Sequence, residues 1–229
     1  MARPRSGNHA PPGRRPHPRP TLRLERRLLG SGARRLGGMD EVGRGSPAGP
    51  VFVGIVALDA SVGPSPAGVR DSKLLTPAAR EALVPRIEEW AVAAAVGSAG
   101  ATEIDELGMT ASLRLAGNRA LARLPEPLDL VVLDGGHDWL SGDDGPGGRD
   151  RPPDVVTRVR GDLTCTSVAA ASILAKVARD AVMVGLAEQF PGYGWEANKG
   201  YGTAAHLEAI RRLGTTPQHR RSWRLPDPA

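Results

Sequence analysis

Cysteine is nearly missing from this chain of 229 residues. The lone Cys165 excludes an intramolecular disulfide and any zinc site built from several thiolates. Aromatic residues make up only 3%, too few rings for a protein that works by stacking rows of bases. No apolar run approaches the ~18 residues of a membrane span. The N-terminus is rich in Arg and Pro without an apolar stretch, so it does not read as a secretory signal. A soluble, cytoplasmic protein that does not engage a membrane is therefore expected. Lysine is scarce as well, three residues against 27 arginines; with abundant Ala and Gly, this reads as genomic base composition rather than chemistry.

What is present is enough for one domain. An apolar fraction of 40% can bury a core, and the length favours a single domain of moderate size. Charge is unevenly spread. Residues 1–35 hold ten arginines against one acid, Glu25, and residues 199–229 hold six cations against Glu208 and Asp227. Between them, residues 36–198 carry 14 bases against 22 acids, so an acidic body lies between basic ends.

Residues 1–20, with six prolines and five arginines, have almost nothing to bury. They predict a disordered tail, either a plain solvated segment or an arm for nucleic acid. Folded structure is expected from Thr21, which caps a helix through about Arg35. Segments 36–43 and 50–58 read as strands joined by a Gly/Pro-rich turn. After a loop over 61–73, Thr76-Pro77 opens a helix. Segment 90–99 reads as a strand, with helix a competitor because of its alanines. Segment 102–124 has helical period, weakened by Gly108 and Gly117. The apolar run 128–134 is a buried strand, 135–153 a long charged loop, and 155–161 a further strand. Residues 166–189 make a long helix, apolar all round and hence buried in its first half. A last helix, 203–213, is stopped by Gly214. The pattern predicts an α/β domain around a mixed central sheet.

Two nucleotide signatures fail. Gly43-Arg44-Gly45-Ser46-Pro47-Ala48-Gly49 follows a strand but leads into another strand, where a dinucleotide fingerprint needs a helix. The phosphate-loop pattern GxxxxGK[ST] is absent. Acids at strand ends are the stronger signal. Asp40-Glu41 closes an apolar strand, and buried carboxylates are costly unless paired or bound to a cation. Successive strand side chains point to opposite faces, so both acids reach one site only if the backbone bends there; Gly43-Arg44-Gly45 offers that bend. Asp134 ends the run Leu130-Val131-Val132-Leu133, and Asp162 follows the next strand at Gly161. On the long helix, Ser172, Lys176 and Asp180 form one polar stripe.

Each acid alone has a dull account, as a solvated strand end, a helix-cap residue or a surface ion pair. Together, four acids near the ends of three apolar strands, without His or Cys beside them, suit Mg²⁺ or Mn²⁺. Two such ions about 4 Å apart are the usual device for phosphodiester cleavage. The acidic body would gather cations while the basic ends hold a polyanion. A non-catalytic nucleic-acid-binding module, and a metal-dependent phosphatase or nuclease of another substrate class, stay open on the residues alone.

GGMDEVGRGSPAGPVFVGIVAL, VRDSKLLT, VVLDGG, RGD, SVAAASILAKVARD and YGWEANKGYGT followed by HRRSW occur in this order. In that combination the chain resembles the ribonuclease HII family from about residue 36 to 223. The resemblance implies a ribonuclease H-like fold with C-terminal helices beside the substrate groove, one catalytic domain over 21–229. It implies cleavage of the RNA strand of RNA–DNA hybrids, or at a ribonucleotide embedded in duplex DNA, leaving 3′-hydroxyl and 5′-phosphate. The partner would be nucleic acid, the protein a monomer. Carried over by position, Asp40, Glu41, Asp134 and Asp162 are the catalytic acids; Asp40, Glu41 and Asp134 are the first metal ligands. Gly43, Arg44 and Gly45 match the segment that contacts the ribonucleotide backbone, Tyr201 the tyrosine near the RNA–DNA junction, and Lys176 and Asp180 lie on the substrate side. Departures are a longer Gly/Asp-rich segment between Asp134 and Asp162, Asn198 where His is common, and Trp223 where Phe is. The sister type HIII carries an added N-terminal domain, which thirty-five Arg/Pro-rich residues are too few to form.

Overall fold

Strands β1 (Arg35–Val42) and β2 (Val51–Asp59) are buried along most of their length, and a sheet buried on both faces needs a layer on each side. In this computed structural model, which describes residues 19–142 and 153–227, helices supply both layers. β1 pairs antiparallel with β2, and β2 with β3 (Ala93–Ala99). On its other edge β1 runs parallel to β4 (Leu130–Asp134), which runs parallel to β5 (Asp154–Arg158). The sheet is mixed and five-stranded, in the order β3-β2-β1-β4-β5. The disorder expected of the tail, and most of the loop expected over 135–153, lie outside the described residues.

Alternation along β2 assigns the layers. Val51, Val53, Ile55 and Ala57 pack with Ile104 of α3 (Ala101–Leu107) and Leu113 and Ala116 of α4 (Met109–Ala122). Val56 and Leu58 face the opposite way, toward Leu83 and Ile87 of α2 (Pro77–Trp90) and Ala170, Ala171 and Ile173 of α6 (Thr166–Gln189). Helix α6 presses hard on the sheet: a Cβ on Gly38 would collide with Ser167, and one on Gly54 with the Ala171 carbonyl. Because Gly54 pairs with Asp40, this close approach seats the helix beside the first acid. A third cluster, with Met183, Tyr193, Trp195 and Ile210, docks α7 (Trp195–Asn198) and α8 (Ala204–Leu213) on the far half of α6.

Expected elements and observed ones differ in a few places. Helix α1 covers only Arg23–Gly30, because Arg35 already pairs with Asp59 as the first residue of β1. The helix read over 102–124 is two, broken where Gly108 adopts φ +77°. Gly117 stays inside α4, since a Cβ there would press on Leu140 and Trp139. The alanine-rich segment is a strand because β2 offers it a full antiparallel ladder. A 3-10 turn at Ser72–Leu74 and the short helices α5 (Gly161–Thr164) and α7 occupy stretches read as loop or strand end.

Candidate active site

Asp40 lies near the end of β1, Asp134 is the last residue of β4, and Asp162 sits in α5 directly before α6. The two strands are parallel neighbours, Met39 opposite Leu133, so their carboxyl ends deliver the two acids side by side. One carboxylate oxygen from each of Asp40, Asp134 and Asp162 lies within 4.8 Å of the others. Asp134 is held in place by the Gly161 amide, which donates to its Oδ1 at 2.7 Å. Burial pushes the Asp40 carboxyl well above the usual range, and the charges of Asp134 and Glu41 push it further. Burial likewise raises Asp134, with Asp162 adding to it. Three crowded acids, two of them, Asp40 and Asp134, pushed toward the neutral form, make a site for a cation.

Glu41 does not join that cluster. β1 keeps its regular pairing through both acids, Asp40 with Gly54 and Glu41 with Val53, so Glu41 stands at the edge of the cluster, close enough for its charge to act on Asp40. The expected bend falls after Val42, where Gly43 has φ +86°. Glu41 instead pairs with Arg44 at 3.2 Å. Burial raises its pKa and Arg44 opposes the rise. Its Oε2 is buried with no hydrogen-bond partner among the described residues, so the carboxylate is only half answered by protein.

Sequence reasoning missed Lys73. Its Nζ lies 3.1 Å from Asp162 Oδ2 and 3.6 Å from Asp71. Burial works to lower its pKa, yet Asp162, Asp71 and Asp40 together hold it above the ordinary lysine value. Beside it, the Ser72 and Ser172 hydroxyls are 2.7 Å apart, and Arg80 donates to the Ser72 and Leu75 carbonyls. Arg80 also meets Asp180 at 3.5 Å, while Asp180 takes Lys176 at 2.6 Å. The polar stripe on α6 therefore ties the Lys73 turn to the helix. One signal was available: a chain that writes nearly every cation as Arg keeps Lys at 73, 176 and 199. Lys73 and Lys176 are at the site, and Lys199 stands two residues before Tyr201.

The ring of Tyr201 has Lys176 Nζ 5.4 Å and Arg179 Cζ 5.1 Å from its centroid. Gly43 borders Arg179 so closely that a Cβ would run into the guanidinium, whereas Gly45 has nothing within 4 Å of a Cβ. Asn198, at the position where His is common in the family, accepts from the Gly200 amide and donates to the Tyr193 carbonyl. Trp223, where Phe is common, stacks under Arg220, 4.9 Å from its ring centroid.

Known proteins resemble this chain in sequence and fold. A family model described as Ribonuclease HII matches residues 37–225. The Ribonuclease HII of Roseiflexus castenholzii is 48% identical over 208 residues, 90% of this chain and 88% of its own length. Among solved structures, the ribonuclease H2 from Pyrococcus horikoshii OT3 aligns with a TM-score of 0.62 at 27% identity, over 82% of this chain and 93% of that one. Bst-RNase HIII in complex with Mn²⁺ aligns at 0.58 with 25% identity, over 83% and 66%. The mixed sheet and its clustered acids are those of a divalent-metal-dependent nuclease of the ribonuclease H type. The chain belongs to the ribonuclease HII family. It is accordingly a hydrolase with ribonuclease H endonuclease activity, acting on nucleic acid. Among the described residues no helix is long and apolar enough to cross a membrane.

Proposed function

We propose that this ribonuclease cleaves both the RNA strand of RNA–DNA hybrids and single ribonucleotides embedded in duplex DNA, as a monomer with one catalytic domain over 21–229, leaving 3′-hydroxyl and 5′-phosphate. The observation that carries the reading is the meeting of Asp40, Asp134 and Asp162 within 4.8 Å. The residues fit hard divalent cations: every donor is a carboxylate oxygen, and Glu41 adds a buried Oε2 with no partner among the described residues. Asp40, Asp134, Asp162 and Glu41 would hold Mg²⁺ or Mn²⁺; Mn²⁺ in the related Bst-RNase HIII favours such an ion. When bound, a pair of such ions supplies an acidified water for in-line attack on phosphorus and stabilises the leaving 3′ oxygen.

The chain's own groups do the rest. Arg44, bound to Glu41 at 3.2 Å, is half outside the fold and can exchange that carboxylate for a substrate phosphate. Lys73 keeps a positive charge at Asp162. Lys176 and Arg179 hold the Tyr201 ring through cation–π contacts, presenting it to a sugar. Cleavage of a DNA duplex carrying one ribonucleotide, compared with the all-DNA duplex, in Mg²⁺, Mn²⁺ and chelator, tests the reading. Metal-dependent cleavage 5′ to the ribonucleotide phosphate, leaving a 3′-hydroxyl, is expected; cleavage of all-DNA, or cleavage in chelator, overturns it.

A further inference from the structure

Arg179 and Arg220 are both 0% exposed, and their hydrogen bonds among the described residues all end on uncharged oxygens. Two like charges buried close together are costly unless their N–H groups are answered. Burial, and then the charge of Arg179, push Arg220 down to about 9. The answering oxygens are concentrated in one place. Arg220 donates to the carbonyls of Gly43 (2.7 Å), Arg44 (2.8 Å) and, twice, Gly49 (3.0 and 3.2 Å). Arg179 donates to the carbonyls of Pro50 (2.9 Å) and Ala48 (3.1 Å), and to Ser46 Oγ (2.9 Å). Its remaining bond goes to the Lys199 carbonyl at 2.9 Å, two residues before Tyr201.

Peptide geometry turns these bonds into an aiming device. In a trans peptide the carbonyl of one residue and the amide of the next point in opposite directions. With the Gly43 and Arg44 carbonyls turned inward onto Arg220, the amides of Arg44 and Gly45 point outward, side by side. Both residues are exposed, and the open space at Gly45 lets another molecule reach the backbone. Successive amides facing one way make a concavity suited to an anionic or hydroxyl oxygen.

We propose that Arg220, with Arg179 beside it, is a positioning residue for ribonucleotide recognition: it aims the Arg44 and Gly45 amides at a sugar–phosphate oxygen and locks these donors to Tyr201. The inference rests on the ribonuclease reading above. A role confined to holding the fold together would make Arg220 a matter of stability alone.

The full chain and its Arg220→Lys variant separate the two. Lysine keeps the charge but gathers its donors on one atom, whereas the guanidinium spreads Nε, Nη1 and Nη2 over the separate carbonyls of Gly43, Arg44 and Gly49. We expect a lower melting temperature, because some buried carbonyls lose their donor, while Mn²⁺ affinity (by calorimetry) stays near wild type and affinity for an uncleaved all-DNA duplex changes less than twofold. KM for a duplex with one ribonucleotide should rise about tenfold or more, the scale of losing hydrogen bonds to a charged group, with kcat changing less. An unchanged KM, or an equal loss on the all-DNA duplex, overturns the proposal. If Arg220→Lys does not fold, Ser46→Ala, which removes one Arg179 acceptor, should raise the same KM several-fold with DNA affinity intact, and an unchanged KM there overturns it too. Wild-type protein that binds Mn²⁺ but never cleaves at a ribonucleotide removes the ribonuclease reading and this inference with it; normal wild-type cleavage with an indifferent variant removes the inference only.

Discussion

Nζ of Lys73 stands 3.1 Å from Oδ2 of Asp162, although the lysine side chain is 72% exposed. A largely exposed cation on a short turn thus stands beside the crowded carboxylates. Without metal, Lys73→Met should lower the melting temperature, because Asp40, Asp134 and Asp162 lose a screening charge. The rise in melting temperature on adding Mn²⁺ should then exceed that of wild type, since the ion stabilises whatever the lysine no longer does. Lys73→Arg should keep the metal-free stability yet lose most turnover, because a planar fork does not replace a compact ammonium. Thermal melts in chelator and in Mn²⁺, with rates, check both; an unchanged Mn²⁺ increment in Lys73→Met would count against the role.

Asp40→Asn and Asp134→Asn should each cut turnover by roughly 10²–10⁴-fold, several kcal/mol of lost charge stabilisation at ~1.4 kcal/mol per tenfold. Each should also raise metal-free stability at neutral pH. The sign follows from the direction of the shift. Burial, with Asp134 and Glu41, holds the folded Asp40 pKa above its unfolded value. The favourable state, protonated Asp40, is complete below the unfolded value of about 3.9 and is lost as pH rises through the folded one. Asn is neutral at every pH, so the variant keeps that contribution wherever the Asp40 carboxyl ionises. The advantage of the variant should therefore shrink as pH falls toward 4, measured by denaturant unfolding in chelator. Full activity in Asp134→Asn would falsify the assignment of the site.

Gly43 and Gly45 should separate stability from function. Gly43 has φ +86° and a Cβ there would meet the Arg179 guanidinium, so Gly43→Ala should destabilise the fold along with activity. Gly45 has open space around a Cβ. Gly45→Ala should leave melting temperature unchanged or slightly raised, by up to ~1 kcal/mol through the unfolded state, while cleavage at a single ribonucleotide falls at least several-fold. A normal rate in Gly45→Ala would show that no substrate backbone comes close to this position.

Asp40 and Asp134 were legible because each breaks a local rule: a carboxylate near the end of an apolar strand is anomalous within a window of a few residues, whereas Asp162, in α5, carried a weaker signal. The same holds for α6, whose first half is apolar on every side and so has to be buried. Glu41 shows the limit. Its charge reaches Asp40, as adjacency suggested, but its carboxylate oxygens lie outside the 4.8 Å group, a distinction that two neighbouring acids in a sequence do not report. Arg179 and Arg220 were invisible for a different reason. Their carbonyl partners lie 129 and 177 positions away, and an arginine in a sequence reads as surface. Burying it requires a whole loop of carbonyls, which no local pattern reports. Lys73 likewise meets Asp162 across 89 positions.

Acid should loosen the C-terminal helices before it opens the sheet. His206 Nδ1 contacts the Tyr201 carbonyl at 2.9 Å, its Nε2 takes the Trp195 indole N–H at 2.9 Å, and His219 Nδ1 accepts from the Thr216 amide. This bonding needs both rings neutral. Burial lowers His206, and burial with the neighbouring His206 lowers His219 to about 4. For a depressed pKa, stability is full above the unfolded value near 6.5 and is lost as pH falls through the folded one. Unfolding free energy should therefore decline between about pH 6.5 and 4, opposite to the Asp40 effect. His219→Gln should flatten that slope; an identical slope in the variant would place the pH dependence elsewhere.

Tyr201 is poised by contacts that leave its hydroxyl free. Its ring is in contact with Lys176 and Arg179, its carbonyl meets His206, and its hydroxyl has no hydrogen-bond partner among the described residues. Tyr201→Phe keeps the ring and both cation contacts, so it should reduce cleavage of a single-ribonucleotide duplex only modestly. Tyr201→Ala removes the surface on which a sugar can rest. Loss of an aromatic platform is worth about 1–3 kcal/mol, a fall of roughly 5–150-fold in kcat/KM. Because the ring is only partly buried, melting temperature should change little. On the proposed reading, in which a deoxyribose following the ribonucleotide would rest beneath the ring, loss should also be greater on the single-ribonucleotide duplex than on a uniform hybrid. Equal losses on both substrates, together with a large drop in melting temperature, would instead make Tyr201 a packing residue for α8.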